Sequence, residues 1–171
     1  MNKDNIIKWT KEFLPYVLIM ILVLLIKQFI FTNVMVHGDS MYPTLHNKDL
    51  MILNKLSMKT GKLKRFDIVV VDAMNEKIIK RVIGLPGETV EYKNNKLYIN
   101  GKVVKDKYNK NNATQDFGKV ILGKDEYFVL GDNRAVSIDS RRLGPIPRKD
   151  ILGKAKLVIF PFNRFGRVNR N

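Results

Sequence analysis

The sequence predicts a mostly β fold: an antiparallel β domain with a small β subdomain, preceded by one N-terminal transmembrane helix. Three observations predict it. One unbroken apolar run lies near the N-terminus, short runs rich in β-branched residues come after it, and hairpin turn signals separate those runs. The 171 residues suffice for one modest domain plus an appendage, and 45% hydrophobic with 27% charged residues is the composition of a folded chain.

Residues 1–12 form a weakly basic head, with Lys3, Lys8 and Lys11 against Asp4 and Glu12, which predicts a cytoplasmic N-terminus. From Phe13 to Phe31, nineteen residues carry a single charge, Lys27. At about 1.5 Å per residue a helix of that length matches the roughly 30 Å of bilayer hydrocarbon. Lys27 stands near the far end, where its side chain can reach water, and Pro15 falls in the first turn, where a helix tolerates it. The next residues, Thr32 to His37, hold no small-x-small cleavage pattern, so 13–31 reads as an uncleaved anchor. Residues 32–171 are then the extracytoplasmic domain of a single-pass protein of the cytoplasmic membrane.

After Ser40 the strands succeed one another. Leu50 to Leu53 is a short apolar run, and Phe66 to Asp72 has the β-branched content of a buried strand. Lys77 to Gly84 is closed by the turn-forming Leu85-Pro86-Gly87. Thr89 to Lys93, Lys96 to Ile99 and Lys102 to Val104 form a meander, punctuated by Asn94-Asn95 and by Asn100-Gly101, the strongest short hairpin signal in the chain. Lys105 to Gly118 is polar and Asn-rich and predicts an exposed loop. Tyr127 to Leu130 and Ile151 to Phe160 are the last strands, and 90–125 is expected to bulge out as the subdomain.

Composition excludes some chemistry. No cysteine is present, so disulfides, thiolate catalysis and Cys-bound metal are ruled out; two histidines, His37 and His46, are too few for a His-rich metal site, and neither metal nor cofactor is expected. The formal charge of +15 points to an anionic partner. From Arg141 to Asn171 nine basic residues face one acid, Asp150, and Arg164, Arg167 and Arg170 could lie against phospholipid headgroups. No nucleic-acid-binding motif is present, and nucleic acid is not expected as a partner.

One serine stands out. In His37-Gly38-Asp39-Ser40-Met41-Tyr42-Pro43-Thr44-Leu45, Ser40 lies just past the apolar run, between a glycine that permits a tight turn and a proline that stiffens the backbone three residues on. A serine hydroxyl attacks an amide only with a base beside it. His37 and His46 are near in sequence but carry no motif. Lys80 lies in a strand between Ile78-Ile79 and Val82-Ile83, a setting that can desolvate its amine and lower its pKa from about 10.4 toward 8.

These residues fall into four ordered blocks that resemble the bacterial type I signal peptidases, or leader peptidases, in their compact single-anchor form typical of Gram-positive bacteria. Ser40-Met41-Tyr42-Pro43-Thr44-Leu45 resembles the nucleophile box, Asp67-Ile68-Val69-Val70 the strand after it, and Lys80 to Glu88 the general-base box. Gly131-Asp132-Asn133-Arg134-Ala135-Val136-Ser137-Ile138-Asp139-Ser140-Arg141 matches the last box. The resemblance implies a membrane-anchored serine endopeptidase that removes signal peptides from exported preproteins after a small-x-small motif. It implies Ser40 as nucleophile, Lys80 as general base, and Ser137 as the hydrogen-bond partner that orients the Lys80 amine. Asp139 with Arg141, and Asp132 with Arg81, are implied to be bracing ion pairs. Val34, Val36, Met41, Leu45, Met51, Ile78 and Ile79 match positions near the shallow substrate pockets, and the strand around Val36 could pair with an extended substrate. The Ser40 N–H would supply one oxyanion donor; Gly38, where some members have serine, leaves the second unassigned. Two other readings remain open at this point: a self-cleaving Ser-Lys protease of the SOS-repressor type, and a membrane-tethered polybasic binding protein without catalysis.

Overall fold

The computed structural model describes residues 3–29, 31–60, 63–109 and 114–168. A helix, α1 (Lys3–Phe29), leads into an edge strand, β1 (Phe31–Met35). The side chains described on α1 are Trp9, Lys11 and those of 12–25, and every one of them is exposed. Among the described residues no helix is long and apolar enough to cross a membrane. The expected span at 13–31 runs on into residues 26–30, which lie outside the described side chains.

The rest is antiparallel β structure. β2 (Leu50–Asn54), β3 (Ile68–Ala73), β4 (Glu76–Gly84), β9 (Glu126–Leu130), β10 (Ile146–Pro147) and β11 (Ile151–Phe160) join β1 in one sheet. Its order is β1-β2-β11-β3-β4-β9-β10, with β12 (Gly166–Arg167) added to β11. β5 (Thr89–Lys93), β6 (Lys96–Ile99), β7 (Lys102–Val104) and β8 (Phe117–Ile121) make a second sheet in the order β7-β6-β5-β8. Helices α2 (Leu56–Thr60) and α3 (Ser140–Leu143) are single turns.

The runs Ile68–Val71 and Ile79–Gly84 are buried throughout because sheet and side-chain layers cover both faces there. Val70 pairs with Ile79 and Val69 with Lys80, which carries the lysine into the interior on a strand flanked by apolar neighbours. Val36, Met41, Leu45, Met51, Ile68, Val70 and Ile79 form one apolar cluster, under the loop that bears Ser40. A second cluster, including Val69, Val82, Tyr127 and Val129, lies elsewhere on the same sheet. Each fully buried aliphatic side chain stabilises the fold by about 1.5–3 kcal/mol. The small sheet packs Val90, Tyr92, Leu97 and Ile99 onto Ile83, Phe128 and Leu130. Gly84 leaves room where the small sheet packs on the large one: a Cβ there would collide with Val90 and sit 2.6 Å from Leu122 Cδ1.

Four described strands lie where the sequence predicts none: the two-residue β10 and β12, and the longer β1 and β8. β1 has polar Thr32 and Asn33 at its centre, and as an edge strand it needs no continuous apolar run. β8 falls across the end of the expected loop, which therefore closes before Phe117; it is half exposed and its signal is correspondingly weak.

Candidate active site

Ser40 sits at the first of a series of tight turns. Gly38 takes φ +77° and its N–H donates to Asn47 Oδ1 at 3.2 Å; Tyr42 N–H donates to Asp39 O at 3.1 Å. The Ser40 carbonyl accepts from Asn133 N–H at 3.0 Å, which fastens the nucleophile turn to the Gly131-Asp132-Asn133-Arg134 segment. Lys80 arrives from β4, and its Nζ lies 2.8 Å from Ser40 Oγ across forty positions of sequence. The lysine is 3% exposed. Burial lowers the amine from its ordinary value to about 8, working against the negative charge of Asp139, which raises it.

Both expected ion pairs form. Arg81 Nε donates to Asp132 Oδ1 at 2.7 Å and Nη2 to Oδ2 at 2.6 Å, with both side chains buried. Arg141 Nε and Nη2 reach Asp139 Oδ1 and Oδ2, each at 2.9 Å. Burial alone would push the Asp139 carboxyl up, but the Arg141 hydrogen bonds, the Gly131 N–H at 3.0 Å and the Arg141 charge together hold it below the ordinary carboxylate range.

Ser137 differs from expectation. Its Oγ is buried with no partner that satisfies hydrogen-bond geometry, although it is near enough to Asp139 to help keep that carboxylate ionised. The expected bond to the Lys80 amine is not made. Ser137 instead stands over Gly131, where an added Cβ would strike Ser137 Oγ and come within 2.5 Å of the Ser40 carbonyl oxygen. Gly131→Ala is expected to cut kcat/KM more than about tenfold, because relief of that clash moves the nucleophile's own backbone, and a displacement of about 1 Å at a reacting group can cost a hundredfold. Cleavage rates read beside a melting curve check it, and an Ala variant with wild-type rates would show the turn to be elastic.

The seven residues expected near the substrate pockets fall in different settings. Val36, Met41, Leu45, Met51 and Ile79 are closed into the core, at 6% exposure or less. Ile78 packs with the second apolar cluster, because neighbours on a strand point to opposite faces. Val34 lines an open groove of about 1150 Å³, bounded by Met35, His37, Leu53, Asp72 and Leu152 among others. His46 does not approach Ser40 as a base; its Nε2 faces Arg164 at 3.0 Å. Arg164 pairs with Asp49 at 3.0 Å, and Arg170 lies outside the described residues.

The expected exposed loop also holds residues that sequence reasoning does not single out. Tyr108 lays its ring 3.4 Å from the Arg81 guanidinium carbon, and Asp106, whose side chain is almost wholly covered, pairs with buried Arg134 at 2.7 Å. Arg134 Nε in turn donates to Gly131 O at 2.8 Å. The only hint of this in the sequence is an aromatic and an acid amid Asn and Lys. Among the described residues no three His, Cys, Asp or Glu side chains gather as a metal site would require.

The chain is similar to known proteins over most of its length. The family model described as "Signal peptidase, peptidase S26" matches residues 6–160. The chain is 45% identical over 180 residues to Signal peptidase I S of Bacillus subtilis, spanning 98% of this chain and 96% of that protein. It is 46% identical over 173 residues to Signal peptidase I T of the same organism, spanning 94% and 88%. A crystal structure of a signal peptidase I from Enterococcus faecalis is similar at 37% identity with a TM-score of 0.50, over 54% of this chain and 96% of that one.

Proposed function

This chain belongs to the signal peptidase family, peptidase S26, and we propose that Ser40 and Lys80 are the dyad with which it cuts. The protein is a serine hydrolase that cleaves signal peptides from preproteins. The observation that carries the dyad is the 2.8 Å separation of Lys80 Nζ from Ser40 Oγ in a site where the amine is buried.

Uncharged Lys80 takes the Ser40 proton as Oγ bonds to the scissile carbonyl carbon, and the Ser40 N–H donates to the oxyanion that forms. Collapse breaks the carbon–nitrogen bond, and Lys80 returns the proton to the departing amine of the mature protein. Water, deprotonated by the same amine, then attacks the acyl carbon and breaks its bond to Ser40 Oγ, which takes the proton back from Lys80. Asp132 with Arg81, and Asp139 with Arg141, hold the segments on either side of this pair. The second oxyanion donor stays unassigned.

Substrate enters extended along the free side of β1, which ends the sheet and so offers unpaired backbone groups. Small residues before the cut, in a small-x-small arrangement, suit a site whose apolar wall is already filled by its own side chains. Residues 13–31 anchor the protein in the cytoplasmic membrane, with 1–12 inside and 32–171 outside, and phospholipid surrounds the helix. The exposed apolar side chains from Phe13 to Leu25 support this, since water is a poor neighbour for such a stripe.

The pH profile of preprotein cleavage tests the dyad. Lys80 acts in its neutral form, so kcat/KM is expected to rise about tenfold from pH 6 to 7, reach half its maximum near pH 8 and level off above. An acidic limb centred near pH 6 would assign the base to a histidine instead.

A further inference from the structure

The loop from Ser40 to Asp49 is held from within by turns: Leu45 N–H donates to Met41 O at 3.0 Å, Asp49 N–H to His46 O at 3.1 Å, and His46 N–H to Asp49 Oδ2 at 2.9 Å. It is also held from outside. Arg164, in the single 3-10 turn Phe162–Arg164 after β11, lies beyond the residues 6–160 that the family model matches. Its Nε donates to Asp49 Oδ1 at 3.0 Å, and its Nη2 to Asp49 Oδ2 at 3.1 Å and to the Thr44 carbonyl at 3.3 Å. Its Nη1 stands 3.0 Å from His46 Nε2, which must accept because a guanidinium can only donate. Three residues of one loop are gripped by one planar group from more than a hundred positions away.

Thr44 connects this grip to the dyad. Its carbonyl faces Arg164, while its hydroxyl donates to Asp132 Oδ2 at 2.5 Å, and Asp132 holds Arg81, the residue next to Lys80. Asp49 also closes on the chain just past β1, beside the groove: Val36 N–H donates to Asp49 O, and Lys48 N–H to Val36 O, both at 2.8 Å. A shift of the Arg164 fork therefore moves Thr44 and Asp49 together, and with them the turn that presents Ser40.

We infer that Arg164 is a positioning residue for the nucleophile: it fixes the Ser40–Asp49 loop so that Ser40 Oγ stays within hydrogen-bond reach of Lys80 Nζ. The inference rests on the Ser-Lys reading and adds to it a residue from the C-terminal segment. The planar fork is the essential feature. A lysine could pair with Asp49 as a point charge but could not hold His46 and Thr44 in the same plane.

The test compares the full chain with Arg164→Lys in steady-state cleavage of a preprotein, at a temperature well below both melting midpoints. The expected result is a kcat at least about tenfold lower with KM within about twofold of wild type, since the defect lies in presenting Ser40 and not in holding substrate. A wild-type kcat overturns the inference; so does a change confined to KM, which would put Arg164 on the substrate side. Should Arg164→Lys not fold, His46→Leu removes one of the three gripped groups and is expected to lower kcat a few-fold, with an unchanged kcat again overturning it. Ser40→Ala, measured alongside, keeps the two claims apart: activity in that variant defeats the dyad whatever Arg164 does.

Discussion

Ser40→Ala and Lys80→Met are each expected to lower kcat/KM for a preprotein by at least about a thousandfold, with the double variant losing no more than the worse single one. The nucleophile and its base act as one unit, so removing either removes nearly all that the pair contributes. Additive losses would mean that the two side chains, though 2.8 Å apart, work independently. The lysine variant should also gain stability. With the folded-state amine lowered from 10.5 to about 8, keeping it inside costs about 3 kcal/mol at pH values low enough for the folded and unfolded chains both to carry the proton. Between pH 8 and 10.5 the unfolded state binds more protons than the folded one, so wild-type stability rises with pH through that window. Lys80→Met has no such slope. Denaturant titrations at pH 7 and pH 10.5 should find the variant more stable by up to about 3 kcal/mol at the lower pH and nearly level at the higher. Parallel curves for the two proteins would mean that the amine is not desolvated.

Asp132→Asn is expected to be the most destabilising conservative change in the site, costing about 3–5 kcal/mol. Arg81 has no side-chain exposure and Asp132 almost none, and the two meet through paired short contacts. Asn cannot balance the guanidinium, whose other neighbours include the Phe66 carbonyl, the Thr44 hydroxyl and the Tyr108 ring, none of which carries a negative charge. For a chain of this size the melting midpoint should fall on the order of 10 °C. Replacing both partners with apolar residues of similar volume, Arg81→Met with Asp132→Leu, should cost less than Asp132→Asn alone. If the single change costs under about 1 kcal/mol, water or another anion reaches Arg81 and the pair does not brace the site.

How far these features are legible in the chain depends on the distance over which each is encoded. β3 and β4 announce themselves because Ile68 to Val71 and Val82-Ile83 are locally apolar, and the same local pattern puts Lys80 in a dry setting. β1 gives no such signal because an edge strand tolerates polar Thr32 and Asn33. The groove is obscure for a different reason: Ile78 and Ile79 are adjacent in sequence, but strand geometry sends one to each side of the sheet. Tyr108 on Arg81, Asp106 on Arg134 and Arg164 on Asp49 join residues brought close only by the completed fold, and no spacing rule along the chain predicts such partners. Ser137 lies in a recognisable block, yet the block does not encode which group its buried hydroxyl meets.

The grip of Asp106 and Tyr108 on two arginines of the catalytic domain bears on how this protein can be engineered. By composition the stretch after Val104 looks expendable, a natural place to splice an epitope or a fluorescent reporter. An insertion there would pull on Arg81 and Arg134 and register as lost turnover. The exposed tip at Asn94 and Asn95, where two consecutive residues already take left-handed backbone angles and end a hairpin, is the better graft point.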